Sequence, residues 1–359
     1  MSPSEGAENV AGLVDRRSIL VTCGTGGVGK TTTAAALAVE GAAQSRRACV
    51  VTIDPAKRLA DALGLEALTN TPHRIEGPWP GELWALMLDT KGTFDDLVDR
   101  YATQSEQAQT IRDNRVYRNI SGALSGTQEY MAMEKLYELH QSGRFDLVVV
   151  DTPPTRSALD FIDAPDRLTS FLDNRLFRLI VTPTRAYLRA VSAATQAFLR
   201  TVSRVVGAEV VGDAIGFFEA FSGMEAGFRQ RAEAVRDLLA APETGFILVT
   251  TPRPDAVEEA TYFSGKLGEA GIAVAALVVN RLHPQFGPVA ATRGPDGTVL
   301  GRLRDNLADF RRVSADEEAN FAELAARLAP APVSRVPFLA SDVHDLGGLG
   351  VVADYLVDR

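Results

Sequence analysis

Short apolar runs recur along the chain, and several end in a polar residue or in Gly or Pro. They are 18–23 (SILVTC), 49–54 (CVVTID), 83–89 (LWALMLD), 145–151 (FDLVVVD), 245–252 (GFILVTTP), 272–280 (IAVAALVVN) and 334–339 (SRVPFL). They are rich in β-branched residues and nearly continuous in apolarity, which predicts strands buried on both faces. Helix-favouring segments lie between them, so the pattern predicts an α/β fold: a doubly wound, mostly parallel sheet with helices on both sides. Two gaps, from Asp89 to Phe145 and from Asp151 to Gly245, are far longer than one crossover helix needs and are rich in helix formers. They predict an α-helical subdomain, formed by about residues 92–140 and 156–241, inserted into a single domain spanning 18–359. Half of the 16 phenylalanines (Phe161, Phe171, Phe177, Phe198, Phe217, Phe218, Phe221 and Phe228) fall in the second gap. They read either as the core of the insert or as an apolar groove for a partner. Residues 1–17 read as a disordered arm, since acidic residues and no continuous apolar core rule out a signal peptide. The Pro- and Gly-punctuated stretch 282–301 reads as a loop.

Composition adds constraints. Hydrophobic content of 46% with 23% charged residues is that of an ordinary globular protein with a core large enough to need no staple. The two cysteines, Cys23 and Cys49, read as small buried residues and fit a reducing cytoplasm. A net charge of −9 disfavours nucleic acid and anionic lipid as partners. No apolar stretch reaches the length of an integral membrane segment.

The chemistry begins at 23–32, CGTGGVGKTT. Gly24, then four residues, then Gly29, Lys30 and Thr31 give the G-x-x-x-x-G-K-[ST] spacing of a phosphate-binding loop. The context is right, with an apolar strand before the loop and the Ala-rich, helix-favouring 31–44 after it. Such a loop wraps main-chain amides of Gly26, Gly27, Val28, Gly29, Lys30, Thr31 and Thr32 around an anion at a helix N-terminus. Lys30 is expected to reach the β- and γ-phosphates, and the Thr31 hydroxyl to bind Mg²⁺.

Two further carboxylates sit at strand ends. Asp151 closes FDLVVVD and is followed by Thr-Pro-Pro-Thr, where a Walker B aspartate would hold a water on Mg²⁺. Asp54 closes CVVTID directly before Pro55, from where it would orient the attacking water and stand beside the metal. Thr31, Asp54 and Asp151 are thus the expected metal-side residues, and the sheet edge they share is where open α/β proteins bind ligands.

In their order and spacing, the loop and the Asp54 and Asp151 segments resemble the ArsA and tail-anchored-protein targeting ATPases, within the MinD- and ParA-like class of dimeric P-loop NTPases. The resemblance runs from about Ser18 to Gly348. It implies ATP and ADP as ligands with Mg²⁺, and a dimer. DPAKRLADALG resembles switch I, with Asp54 positioning water, and DTPPTRSALDFIDAP resembles switch II, with Asp151 linked to the metal. VVNRL resembles the adenine-contacting strand end, which implies Asn280 as base reader, and VPFLASDVHDLGGL resembles the adenine loop, which implies Pro337 and Phe338.

The departures are informative. Most of the class carries a lysine just after the first loop glycine, where this chain has Thr25, and a cation supplied to this transition state is worth on the order of 10³–10⁵ in rate. Arg156 in the switch II segment is the candidate substitute, alongside the simpler reading of a surface ion pair. The absence of a Cys-x-x-Cys pair and of cysteines in the insert argues against zinc-bridged dimers and against arsenite activation. The expectation is a cytoplasmic, Mg²⁺-dependent ATPase with Lys30, Asp54 and Arg156 as catalytic residues. It would act as a homodimer or as a heterodimer with a paralogous ATPase subunit, coupling nucleotide state to the helical subdomain and its hydrophobic client. The alternative is a nucleotide-sensing scaffold or chaperone-like module with negligible turnover.

Overall fold

Eight strands form one sheet in the computed structural model, which describes residues 9–54, 58–102, 104–115, 127–152, 224–287 and 298–359, with isolated positions at 117, 209, 213, 216, 217 and 220. The strands are β1 (Ile19–Cys23), β2 (Arg47–Thr52), β3 (His73–Ile75), β4 (Glu82–Met87), β5 (Leu147–Asp151), β6 (Thr244–Thr250), β7 (Val274–Leu282) and β8 (Val333–Pro337). Their spatial order is β3-β4-β2-β5-β1-β6-β7-β8, and every pairing is parallel except that of β3 with β4. The chain moves from β1 outwards to β4, returns to insert β5 beside β1, and then builds β6, β7 and β8 on the other side. Parallel pairing puts the carboxyl ends of β1, β2, β5, β6, β7 and β8 on one edge.

The central strands are buried along their whole length, as their continuous apolarity requires. Leu20, Val50, Val149, Ile247 and Val278 join one core cluster with Ala34–Ala38 of α2 (Lys30–Ala43), whose small side chains let the helix lie close to the sheet. α10 (Leu346–Leu356) packs along α2 and adds Leu349, Val352, Ala353 and Leu356 to that cluster. Arg359 pairs with the buried Glu40 of α2, tying this end of the chain to the helix behind the phosphate-binding loop. On the β6 and β7 side, α8 (Pro254–Glu269) packs on β6 and against the long α9 (Val299–Leu328), which also meets β7.

Three expectations change. Residues 10–16, read as part of a disordered arm, form α1 (Val10–Arg16), capped by the Asn9 carboxamide oxygen, which accepts from Gly12 N at 2.9 Å. Val10, Leu13 and Val14 lie on one helical face and are buried in the core, a spacing too short to stand out in the sequence. β3 was not anticipated because His73 and Arg74 are exposed on an edge strand and leave only Ile75 as an apolar signal. The segment 282–301 is a loop only in part: Leu282 ends β7, and α9 begins at Val299 under a Thr298 cap.

The chain divides into two compact units, one of residues 1–87, 139–159 and 240–359, the other of 88–138 and 160–239. The described part of the second is helical. It contains α4 (Thr90–Tyr101), α5 (Ser105–Asp113), most of α6 (Thr127–Gln141) and most of α7 (Glu225–Ala240). Asp89, read as a strand-end carboxylate, caps α4 by accepting from Lys91 N at 3.0 Å. Phe217 and Phe228 are buried among Phe94, Tyr101 and Tyr117, with the Phe94 and Tyr117 rings stacked at 5.2 Å. At these two positions the phenylalanines are core; Phe161, Phe171, Phe177, Phe198, Phe218 and Phe221 lie outside the described residues.

If α1 is part of the core, Leu13→Ala should cost roughly 2–5 kcal/mol, the usual range for a fully buried leucine. Urea unfolding measures this; a loss below about 1 kcal/mol would return α1 to the status of an unpacked arm.

Candidate functional site

The loop between β1 and α2 is shaped by its glycines. Gly24 has φ +145°, and a Cβ there would lie 2.1 Å from the Val249 carbonyl oxygen, so β6 could not run this close to any other residue. Gly29 has φ +102°, and a Cβ there would lie 2.2 Å from Asn280 Nδ2. The Asn280 side chain fills that space by donating to the Val28 carbonyl at 2.8 Å, which braces the loop from the end of β7. No acidic residue stands in the first turn of α2, so the unpaired amides and the positive end of its dipole are left for an anion.

Lys30 is buried, and its Nζ donates to the carbonyls of Gly24 at 3.0 Å and Thr25 at 2.8 Å. Burial lowers the affinity of this ammonium for its proton, opposed chiefly by the Asp151 charge. An arriving phosphate would offer the ammonium a better partner than two neutral carbonyls.

Asp151 is the centre of the arrangement. The parallel registers set it opposite Thr22 of β1 and Thr52 of β2. Its Oδ2 accepts hydrogen bonds from Thr31 Oγ1 at 2.8 Å and Thr52 Oγ1 at 2.9 Å. Its Oδ1 is buried with no hydrogen-bond partner among the described residues. Burial pushes the carboxyl up to about 6; the Thr31 and Thr52 hydroxyls and Lys30 pull it down, and Asp54 adds to the rise. A buried, unsatisfied carboxylate oxygen beside a threonine hydroxyl fits a hard divalent cation or a water on one.

Asp54 lies one residue beyond Ile53, its N–H donating to Thr52 Oγ1 at 3.2 Å, and its Oδ2 pairs with Arg58 Nη1 at 3.0 Å. One cleft, of about 550 Å³, is lined by Gly26, Gly27, Gly29, Lys30, Thr31, Thr32, Asp54, Arg58, Thr152 and Arg281, among others. A second, of about 570 Å³, shares Gly26, Gly27 and Arg281 and is lined also by Thr25, Val28, Arg253 and Phe338.

The expected loop residues other than Val28 therefore line one cleft with Asp54, and Asp151 is bonded to Thr31 of that cleft, while Val28 lines the second. Phe338 is exposed and lines the other cleft, while Pro337 ends β8 in register with Leu282. Asn280 stands at the loop, where its amide is already engaged as a brace. Arg156 lies outside the described residues. The sequence did not single out Thr52 and Arg58: the first is two residues before Asp54, the second four residues after it. No group of three or more His, Cys, Asp or Glu side chains able to hold a metal occurs among the described residues. An ion here would depend on the threonine hydroxyl as well as on carboxylates.

The sequence model of the family described as Anion-transporting ATPase matches residues 17–288. The chain is 28% identical to ATPase GET3B of Arabidopsis thaliana over 301 residues, 78% of this chain and 67% of that protein. It is 25% identical to ATPase GET3C of the same plant over 299 residues, 79% of this chain and 72% of that one. With the ATPase ASNA1 homolog of Babesia bovis, identity is 31% over 170 residues, and the match spans 47% of this chain and 45%, under half, of that relative.

The raised Asp151 carboxyl has a consequence for stability. The unfolded side chain ionises near its ordinary value of about 4 and the folded one near 6, so between them the folded state holds the extra proton. Stability therefore falls as pH rises through that window, by about 3 kcal/mol in all. Asp151→Asn cannot ionise, so its stability relative to the parent should rise by about this amount between about pH 4 and pH 7 in urea titrations. A difference that stays flat across the window would show that the buried carboxyl does not titrate there.

Proposed function

The chain belongs to the anion-transporting ATPase family, and on that premise we propose that it binds ATP and ADP at the loop 24–32 and hydrolyses ATP with Mg²⁺ between Thr31, Asp54 and Asp151. The observation that carries this is the unsatisfied Oδ1 of Asp151, buried directly beside the Thr31 hydroxyl at the open N-terminus of α2. Bound there, Mg²⁺ would neutralise charge on the β- and γ-phosphates. The chain's own groups do the rest. The loop amides and α2 bind the phosphates, and Lys30 leaves the Gly24 and Thr25 carbonyls to meet them. Thr52 holds the Asp151 carboxylate in one orientation. Asp54, oriented by Arg58, takes up the attacking water and receives its proton as the water oxygen bonds the γ-phosphorus and the bond from that phosphorus to the ADP oxygen breaks.

The same reading includes a cytoplasmic dimer, either of two copies or with a paralogous subunit, whose nucleotide state drives the helical subdomain of about residues 92–140 and 156–241 and its hydrophobic client. Support for the coupling comes from chain order. Asp151 is the last residue of β5, and the helical unit resumes at residue 160, so a ligand that orders Asp151 acts close to a covalent link to that unit. Asn280, Pro337 and Phe338 serve the adenine side, and Arg156 supplies a cation to the transferring phosphoryl group. Both cysteines are free and buried, in keeping with a reducing compartment. No helix among the described residues is long and apolar enough to cross a membrane.

Lys30→Ala should abolish the rise in melting temperature that ATP gives the parent protein; an unchanged rise would remove the loop from nucleotide binding. Asp54→Asn should keep nucleotide affinity while lowering kcat by on the order of 10²–10⁴, the worth of a positioned base. Phosphate release equally negligible in parent and variant would favour the nucleotide-sensing scaffold.

A further inference from the structure

Resting on that nucleotide reading, we propose that Arg281 is a phosphate ligand for the bound nucleoside di- or triphosphate, delivered to the loop by a bulge in β7. The register between β7 and β8 shifts between Asn280 and Leu282, which leaves Arg281 as the extra residue. Its backbone takes φ +61°, and its N–H donates to the Asn280 carboxamide oxygen at 2.9 Å. The amide nitrogen of the same Asn280 bonds the Val28 carbonyl, so one short segment both braces the loop and sets Arg281 against it.

A positive φ is costly for a residue with a side chain, and the other two such residues among those described have an ordinary reason for it. Ser45 and Asp358 follow the C-caps of α2 and α10, where the left-handed conformation terminates a helix. Arg281 lies inside a strand. Strain of this kind is retained where a side chain must be aimed.

Charge makes the case specific. Arg281 borders both clefts that flank Gly26 and Gly27. The other cations at these clefts are already engaged: Arg58 by Asp54 at 3.0 Å, Arg253 by Asp255 at 2.8 Å, and Lys30 by two carbonyls. Arg281 is exposed and has no ion pair or side-chain hydrogen bond among the described residues, although Asp255 and Glu259 line one of its clefts and Asp54 and Asp61 the other. A guanidinium is a planar fork of donors suited to two oxygens of one phosphate. An uncommitted fork beside an anion-binding loop, on a protein of net charge −9, supplies the counter-charge that the loop amides alone do not.

Calorimetry on the full chain with ATP, ADP and inorganic tripolyphosphate tests this. Arg281→Gly removes the fork and relaxes the positive φ. It should bind ATP and tripolyphosphate each roughly 10–100-fold more weakly, while its ligand-free melting temperature stays level or rises. Arg281→Lys should recover part of both affinities. Weaker ATP binding with unchanged tripolyphosphate binding would place Arg281 at the base or ribose and overturn the assignment, as would unchanged affinity for both. A fall in ligand-free melting temperature that accompanies the loss would make Arg281 a folding residue and also overturn it. A parent protein that binds neither ligand would instead sink the nucleotide reading, and this inference with it.

Discussion

The structure turns on one buried carboxylate and the two hydroxyls that hold it. Asp151 can sit between Thr31 and Thr52 only because β5 is inserted between β1 and β2, in register with both. A one-residue slip would turn its side chain to the other face of the sheet, away from one or both hydroxyls. The burial is unfavourable for the charge, as the raised carboxyl shows, and the hydroxyls offset only part of it. What remains is an oxygen with no donor among the described residues, a position that suits a cation or a water.

The same logic of incomplete satisfaction runs around the loop. Lys30 rests on neutral carbonyls, the first turn of α2 lacks an acidic residue, and Arg281 lines both clefts without an ion pair among the described residues. The framework around these groups is, by contrast, closely packed and braced. Gly24 lies against β6, Asn280 locks Val28 in place, and α10 with Arg359 closes over the back of α2. Rigid support around under-satisfied polar groups is the organisation of a binding site that stores its ligand's interactions in advance. Stability is spent here on readiness, which is why the site departs from the rule that buried polar atoms find partners.

Much of this was legible in the chain because burial on both faces leaves an unambiguous mark. The runs that became β1, β5 and β6 are buried at every position and that of β2 at all but its first, a pattern that half-exposed elements do not give; β4, β7 and β8 are buried only in part and carry a weaker mark. Elements that rest on few buried residues were not legible. The buried residues of α1 are Val10, Leu13 and Val14, and that of β3 is Ile75. Within the site, residues defined by a spaced motif, Lys30 and Thr31, were readable. Thr52 and Arg281 were not, because their roles come from partners distant in the chain. Thr52 matters through a register 99 residues away, and Arg281 through a one-residue bulge against β8. No local pattern encodes either.

The acidic balance of the chain and its anion site are not in conflict, and the reason bears on how the site works. A long-range field from −9 net charges is screened over a distance of about 8–10 Å in physiological salt, whereas amides, Lys30 and Arg281 act at contact. The net charge therefore gives an anionic ligand no long-range attraction, and the site relies on short-range, oriented donors. Such donors discriminate by geometry: a loop that fits a phosphate in one position can report whether the terminal phosphate is present. On the reading proposed above, Asp151 would link that discrimination to the chain that follows β5, and a nucleotide would then act as a signal as well as a fuel.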